Sequence, residues 1–185
     1  TINIYYMDVN GAYPETADKT ETLSGLVGTT SPEYDPTGNL KTGFTFDAAN
    51  SVLSGVIDAD NPLVLTVKYA RNQWTYSKNI DGVKTEIGKF FYEADITAPA
   101  DPEKTGYNFT GWSDMPANGK MPNRDLEITA TWTAKTYTVT WDVDGVTTVE
   151  TYAYGAEINE MTAPVKEGYT FTGWEGFAEG MTMPA

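Results

Sequence analysis

The heptapeptide Gly106-Tyr107-Asn108-Phe109-Thr110-Gly111-Trp112 returns 62 residues later as Gly168-Tyr169-Thr170-Phe171-Thr172-Gly173-Trp174. Met121-Pro122 returns as Met183-Pro184 at the same offset, and Asp81-Gly82 returns as Asp144-Gly145, 63 residues on. Self-similarity at such a period means an array of small units, each built from one supersecondary motif, rather than one large core. Residues 1–71 hold a divergent copy. Asn10-Gly11 takes the Asp-Gly place, Gly43-Phe44-Thr45-Phe46 the Gly-Tyr-x-Phe place, and Leu65-Thr66-Val67-Lys68-Tyr69 matches Ile128-Thr129-Ala130-Thr131-Trp132. This copy is longer between those marks and has Ala49 where the others have Trp. The expected modules are 1–71, 72–134 and 135–185, the last without its closing strand.

Each copy reads as strands. Ile2, Ile4 and Tyr6 alternate with Asn3, Tyr5 and Met7, and Tyr137, Val139 and Trp141 alternate with Thr138, Thr140 and Asp142. A period of two marks a half-buried strand. These runs lead to Asn-Gly or Asp-Gly, which accept the positive φ of a type I′ hairpin turn. A second strand is expected at 83–92 and 146–154. Ala98-Pro99 and Ala163-Pro164 then stop pairing, because proline has no N–H to donate, and a loop or single helical turn fits there. The Gly-Tyr-x-Phe strand follows, then a Gly/Pro/Asn-rich loop at 113–123, then a closing strand at 125–133. No window carries a long helical stripe.

The joints are short. Ala134-Lys135 separates the second and third copies, and Arg71-Asn72-Gln73 the first and second, so the angle between neighbours is restricted. The third copy stops at Ala185 before any closing strand, as expected of a fragment. An unfinished sheet edge results, left by truncation, by an unseen continuation, or completed by a neighbouring chain.

Composition narrows the function classes. The net charge is −14 and is spread as −5, −3 and −6 over the three copies. Such a surface repels phosphate backbones and anionic headgroups, so neither nucleic-acid binding nor charge-driven membrane docking is expected. Aromatic residues reach 13%, too many for a disordered acidic tail. The absence of Cys and His removes disulfides, thiolate chemistry, Cys/His zinc sites and histidine-based catalytic triads. No cofactor and no membrane insertion of this segment are expected, and the chain reads as a monomer.

The ordered series of an Asp-Gly hairpin, Tyr154-Gly155-Ala156, Ala-Pro, Gly-Tyr-x-Phe-x-Gly-Trp, Met-Pro and a strand ending in Thr-Trp resembles the Listeria–Bacteroides repeat, which includes the internalin B-repeat. The resemblance is close over 72–185. Residues 1–71 resemble the related mucin-binding-type repeats, with a Tyr-rich first strand and a Gly-Phe second half. Together these resemblances imply a mainly β, β-grasp-like fold repeated in an elongated array, in which first and last strands run parallel. With strands of about eight residues at roughly 3.3 Å each, three modules and their loops would span on the order of 100 Å. They imply extracellular display on a bacterial cell surface or cell wall, as a non-enzymatic stalk or as an adhesin binding glycan, mucin or another surface protein.

Trp112 and Trp174 occupy the same place in two copies and are the candidate ligand contacts, since a flat ring can cover a sugar face. The competing role is a lid over each small core, which lacks disulfide or metal and needs large aromatic side chains. Asp142-Val143-Asp144-Gly145 and Asp58-Ala59-Asp60 look like pieces of a calcium loop, but an EF-hand needs Gly at position six and Glu at twelve. Counting from Asp142, Gly falls at four and Ala153 at twelve, so the turn reading is preferred and no metal site is expected. Paired carboxylates for glycosidase chemistry are not expected to find a cleft in modules this small. Asn108-Phe109-Thr110 is a formal glycosylation sequon in a predicted strand. Lys68 is the candidate for a Lys–Asn isopeptide bond, which would need an Asn and an acid beside it in a dry core.

Overall fold

The computed structural model describes residues 1–185. The fold is mainly β, with three sheets that each draw on one stretch of the sequence. Strands β1 (Ile2–Tyr6), β2 (Lys19–Glu21), β3 (Phe44–Phe46) and β4 (Leu65–Arg71) form the first, in the order β2-β1-β4-β3. Strands β5 (Gln73–Ile80), β6 (Val83–Phe91), β7 (Tyr107–Ser113) and β8 (Leu126–Ala134) form the second, in the order β6-β5-β8-β7. Strands β9 (Thr136–Val143) and β10 (Val146–Ala153) pair as a two-stranded sheet. By packing, the chain divides into two compact units, Thr1–Ala98 with Asp114–Thr129, and Pro99–Ser113 with Ala130–Ala185. The division therefore falls within β8.

The alternation in β1 places its apolar residues on one face. Ile2, Ile4 and Tyr6 are buried, and so are Leu65, Val67 and Tyr69 of β4. The two strands run parallel, with Ile2 beside Leu65, Ile4 beside Val67 and Tyr6 beside Tyr69. The two tyrosine rings stack at 5.1 Å, and Phe44 meets Tyr6 edge-on at 5.3 Å. Their hydroxyls donate to the backbone carbonyls of Asn39 and Pro36, so neither buried ring leaves an orphaned polar atom. Each such aliphatic side chain taken from water contributes about 1.5–3 kcal/mol.

The second sheet repeats the scheme. β5 and β8 run parallel over Tyr76–Asn79 and Leu126–Thr129, and Tyr76, Leu126, Ile128 and Ala130 are buried. A backbone ladder beside this sheet recurs with an offset of 62 residues. Glu93, Met121 and Ile96 donate to the carbonyls of Met121, Ala94 and Gly119. Gly155, Met183 and Ile158 donate to Met183, Ala156 and Met181. The sequence repeat is thus a repeat of hydrogen bonds. In the third stretch the apolar cluster is Trp141, Ile158 and Met183, packed by Tyr137, Val139, Tyr152, Met161, Trp174 and Phe177.

Two sequence expectations are corrected here. Asn10-Gly11 does form a turn, with Gly11 at φ +83°, but no tight hairpin, since β2 starts only at Lys19. The Asp8 carboxylate accepts from the N–H groups of Asn10 and Ala12 and closes a separate turn. The return pairing is set by Asp18, which accepts from the Tyr6 N–H and donates its own to Ile4. Residues 169–175, expected as a strand, are not one. Their counterpart β7 is bonded to β8 in the second sheet, whereas the third sheet contains only β9 and β10.

The joints are tighter than the sequence suggested. One residue, Asn72, lies between β4 and β5, and one residue, Lys135, between β8 and β9. Both are held alike. The Asn72 N–H donates to Gly43 and its carbonyl accepts from Tyr92, each at 2.8 Å; the Lys135 N–H donates to Gly106 and its carbonyl accepts from Tyr154, again at 2.8 Å. The Tyr92 ring covers Gly43 and the Tyr154 ring covers Gly106, so closely that a Cβ would lie 1.9 and 2.3 Å from the rings. The first joint has a further clamp. Arg71, with a side chain 12% exposed, donates to the carbonyls of Met7 and Tyr92 and pairs with Glu93 at 2.9 Å, while its guanidinium lies 4.6 Å over the Phe44 ring.

Candidate functional site

Trp112 and Trp174 are half-buried, and their indole N–H groups are used in the same way. Trp112 donates to the Pro99 carbonyl at 3.3 Å and Trp174 to the Met161 carbonyl at 3.0 Å, each thirteen residues upstream. Each ring also meets the phenylalanine three positions before it edge-on, Phe109 at 5.4 Å and Phe171 at 5.3 Å. Trp174 further packs 4.9 Å from Trp141. The two rings therefore tie the loop around the Ala-Pro step to the Gly-Tyr-x-Phe segment, and each is engaged by aromatic packing.

The other flagged residues serve local structure. Asp142 accepts the Gly145 N–H at 2.8 Å, and Asp144 pairs with Lys166 at 2.6 Å. Asp58 accepts from the N–H of Asp60 at 2.8 Å. The Asp142 and Asp58 bonds are those of carboxylates that shape turns. Lys68 lies half-buried with its ammonium 4.7 Å above the Tyr13 ring, beside Asp47 and outside the Ile2–Tyr69 core. Asn108 is exposed in β7.

The first stretch also holds a cleft that no motif in the sequence marks. A cleft of about 550 Å³ lies beside the ends of β1 and β4. Leu23, Ile57, Pro62 and Leu63 give it apolar walls, with Tyr34 and Glu33 at the polar side. Apolar side chains around it remain in water, with Leu23, Leu26 and Val27 at 69, 77 and 63% exposure. Part of its lining, residues 23–35, lies in the stretch that is longer in this copy, and the rest comes from residues 1–2 and 57–65. Its only sequence signal was their mixture of Leu, Val, Pro and Tyr without a strand period.

Beside the cleft, Tyr34 belongs to a polar network on β2. Glu21 pairs with Lys19 at 2.7 Å and accepts from Asn39 at 3.0 Å and from the Tyr34 hydroxyl at 2.9 Å. These three partners, Lys19 foremost, hold the Glu21 carboxyl down at about 2. Burial and the adjoining carboxylate push the Tyr34 phenol up. In the same stretch burial, then the bond to Asp47, pushes the Tyr13 phenol up, and the bonds from Tyr13 and Asn50 hold Asp47 low. Tyr69, buried and close to other phenols and carboxylates, is pushed up to about 12. Every one of these shifts moves the group further from neutral pH.

A second opening lies in the third stretch, a cleft of about 380 Å³ between the end of β9 and residues 169–175. No group of three or more acidic, His or Cys side chains is arranged to hold a metal ion. No helix is long and apolar enough to cross a membrane.

Comparison with known proteins places these observations in a family context. The Listeria-Bacteroides repeat domain model matches residues 66–133 and again 137–182, together more than half of the chain. Internalin H of Listeria monocytogenes serovar 1/2a is 38% identical over 112 residues, covering 56% of this chain and 20% of that protein. A putative membrane protein of Evansella cellulosilytica is 31% identical over 123 residues, 60% of this chain and 18% of the relative. A putative Gly-rich membrane protein of the same organism is 28% identical over 171 residues, 74% of this chain and 20% of the relative. The chain thus spans about a fifth of the length of each relative.

Proposed function

Because the chain belongs to the Listeria-Bacteroides repeat family, we propose that it is a non-enzymatic repeat segment of a bacterial surface protein, displayed outside the cell as a spacer for a more distal domain. We take residues 1–71, 72–134 and 135–185 as its three modules. The observation that carries this reading is the joint. The same two backbone hydrogen bonds and the same tyrosine-on-glycine contact recur at Asn72 and at Lys135. A repeated, one-residue, hydrogen-bonded joint suits a spacer, whereas a loose tether would only limit reach. The acidic surface keeps such an array soluble and unattached to its neighbours. The test is small-angle scattering on the chain and on a variant with a Gly-Ser insertion after Lys135. A rod whose maximum dimension falls or spreads on insertion supports the spacer. A compact profile insensitive to the insertion overturns it.

A second reading rests on the cleft at residues 23–35 and 57–65. It lies in the part of the chain that the family model leaves largely unmatched, the part that resembles mucin-binding-type repeats. On this reading the first module binds glycan, mucin or a surface protein, and the remaining modules present it. A glycan and mucin array probed with the chain and with Leu63→Asp and Trp112→Ala variants separates the two sites. Loss of binding in Leu63→Asp alone assigns it to the cleft.

A further inference from the structure

Residues 146–152 of β10 read Val-Thr-Thr-Val-Glu-Thr-Tyr, and the strand lies at an edge of its sheet. The hairpin itself sets that position, since the corresponding strand β6 is also an edge in the four-stranded second sheet. An edge strand presents a row of unpaired N–H and C=O groups, which proteins blunt by shortness, charge or a bulge. β2 and β3, the edges of the first sheet, have three residues each. β6 carries Lys84, Glu86 and Lys89, and its register with β5 breaks between Tyr76 and Ser77. β10 holds a single charge, Glu150. It pairs with β9 without a break along eight residues, and Val146 and Val149 are 72 and 59% exposed.

The hairpin decides which backbone groups are free. Asp144 and Gly145, at φ +52° and +85°, make the two-residue turn that joins Val143 to Val146. The pair flanking such a turn is hydrogen-bonded, and along an antiparallel ladder bonded and non-bonded pairs alternate. Val146, Thr148, Glu150 and Tyr152 therefore turn their backbone groups to β9, and Thr147, Val149 and Thr151 turn theirs outward. A second β10 laid antiparallel about Val149 uses all three outward residues at once. Val149 then meets Val149, Thr147 meets Thr151, and each pair exchanges both N–H···O bonds. On the other face Val146 meets Tyr152 and Thr148 meets Glu150. These are the β-branched, aromatic and Thr–Thr pairings that stabilise sheets, with no like charges opposite. The same register in β6 would set Glu86, 63 residues before Val149, against itself.

We propose that β10 is a self-association site, at which two copies of the chain join edge to edge, antiparallel, about Val149. Main-chain hydrogen bonds supply the affinity, and the cross-strand pairs fix the register. Glu150 does not oppose it. Its carboxylate already accepts from the Trp141 indole at 2.9 Å and the Tyr152 hydroxyl at 2.8 Å, and in this register it faces Thr148 of the other copy. The net charge of −14 works against contact elsewhere. The pair is therefore weak in dilute solution, where the chain is the monomer read from its sequence, and is favoured by concentration and by salt. The proposal stands apart from the spacer reading and from the cleft of the first stretch.

The test is sedimentation equilibrium of the full 185-residue chain and of variants at this exposed edge. The unchanged chain is expected to form a dimer that salt tightens. Val149→Lys and Val149→Glu each set like charges opposite one another and should weaken the dimer at least about tenfold. An equimolar mixture of the two should restore it, because lysine then meets glutamate; restoration also shows that both variants are folded. The chain has no cysteine, so single substitutions read the register. Val149→Cys is expected to give a disulfide-linked dimer under mild oxidation, with the two Cα atoms about 5.5 Å apart. Thr147→Cys should do so far more slowly, since it faces position 151. A chain that stays monomeric at millimolar concentration in high salt would overturn the proposal. Association left intact by Val149→Lys would overturn it by moving the contact off β10, and a mixture that fails to restore the dimer would overturn the symmetric register.

Discussion

The ring of Tyr154 lies where a side chain on Gly106 would have to go, 2.3 Å from the position of its Cβ. Gly43 stands in the same relation to Tyr92 at 1.9 Å, while Gly168 has open space there. All three have φ near +80°, so alanine costs about 1 kcal/mol at each through the backbone alone. At Gly43 and Gly106 the collision adds about 1–3 kcal/mol. Gly43→Ala and Gly106→Ala are therefore expected to lower the urea midpoint clearly more than Gly168→Ala. Equal losses at all three would mean that the rings do not hold the joints.

Arg71 secures the first joint with bonds to two carbonyls and one carboxylate. Arg71→Ala should destabilise by about 2 kcal/mol, since a buried charged donor is lost and the Met7 and Tyr92 carbonyls lose a partner. Arg71→Lys should recover little, because an ammonium lacks the fork that reaches both carbonyls. Protease cleavage near Asn72 is the companion measurement and should quicken in both variants.

Glu21 makes stability in acid a local property of the first stretch. Its carboxyl is held down from 4.5 to about 2 in the folded chain. A depressed carboxyl contributes stability that is fully present above the unfolded value and is lost as the pH falls through the folded one. The contribution should fade between about pH 4.5 and pH 2. The slope of midpoint against pH in that window should flatten in Glu21→Gln. An unchanged slope would remove Glu21 from the account.

Trp112→Ala and Trp174→Ala each remove a ring that ties two segments together. For a half-buried indole the expected loss is about 2–4 kcal/mol, at or below the range for full burial. If the rings act as packing, any loss of ligand binding should track the loss of folded protein, read together by near-ultraviolet circular dichroism. Binding abolished in a fully folded variant would restore the sugar-platform role.

Much of this architecture was readable from the chain. Ile2, Ile4 and Tyr6 announced a strand by their period, and the Gly-Phe and Gly-Tyr-x-Phe series marked strands in the first two copies but not in the third. The parallel pairing of β1 with β4 came only through family resemblance, because the partner of a strand 60-odd residues away leaves no local signal. Asp8 deceived the hairpin reading. The Asn-Gly pair was visible, but the carboxylate that closes its own turn before Tyr13-Pro14 was not. The cleft at Leu23 and Leu63 stayed hidden for a different reason. It is made by side chains from separate, aperiodic loops, and nothing in their order says that they meet. Trp174 was singled out by its repetition, but its partner Trp141 was seen only as one more residue in a strand.

The side-by-side, parallel arrangement of β1 and β4 has a mechanical meaning. A pull applied at the two ends of residues 1–71 would slide these strands past one another along their length. The load would fall on their ladder of hydrogen bonds together, in shear, instead of opening it one bond at a time as a zipper. Tension applied through those two ends would thus meet its greatest resistance along the direction of the two strands.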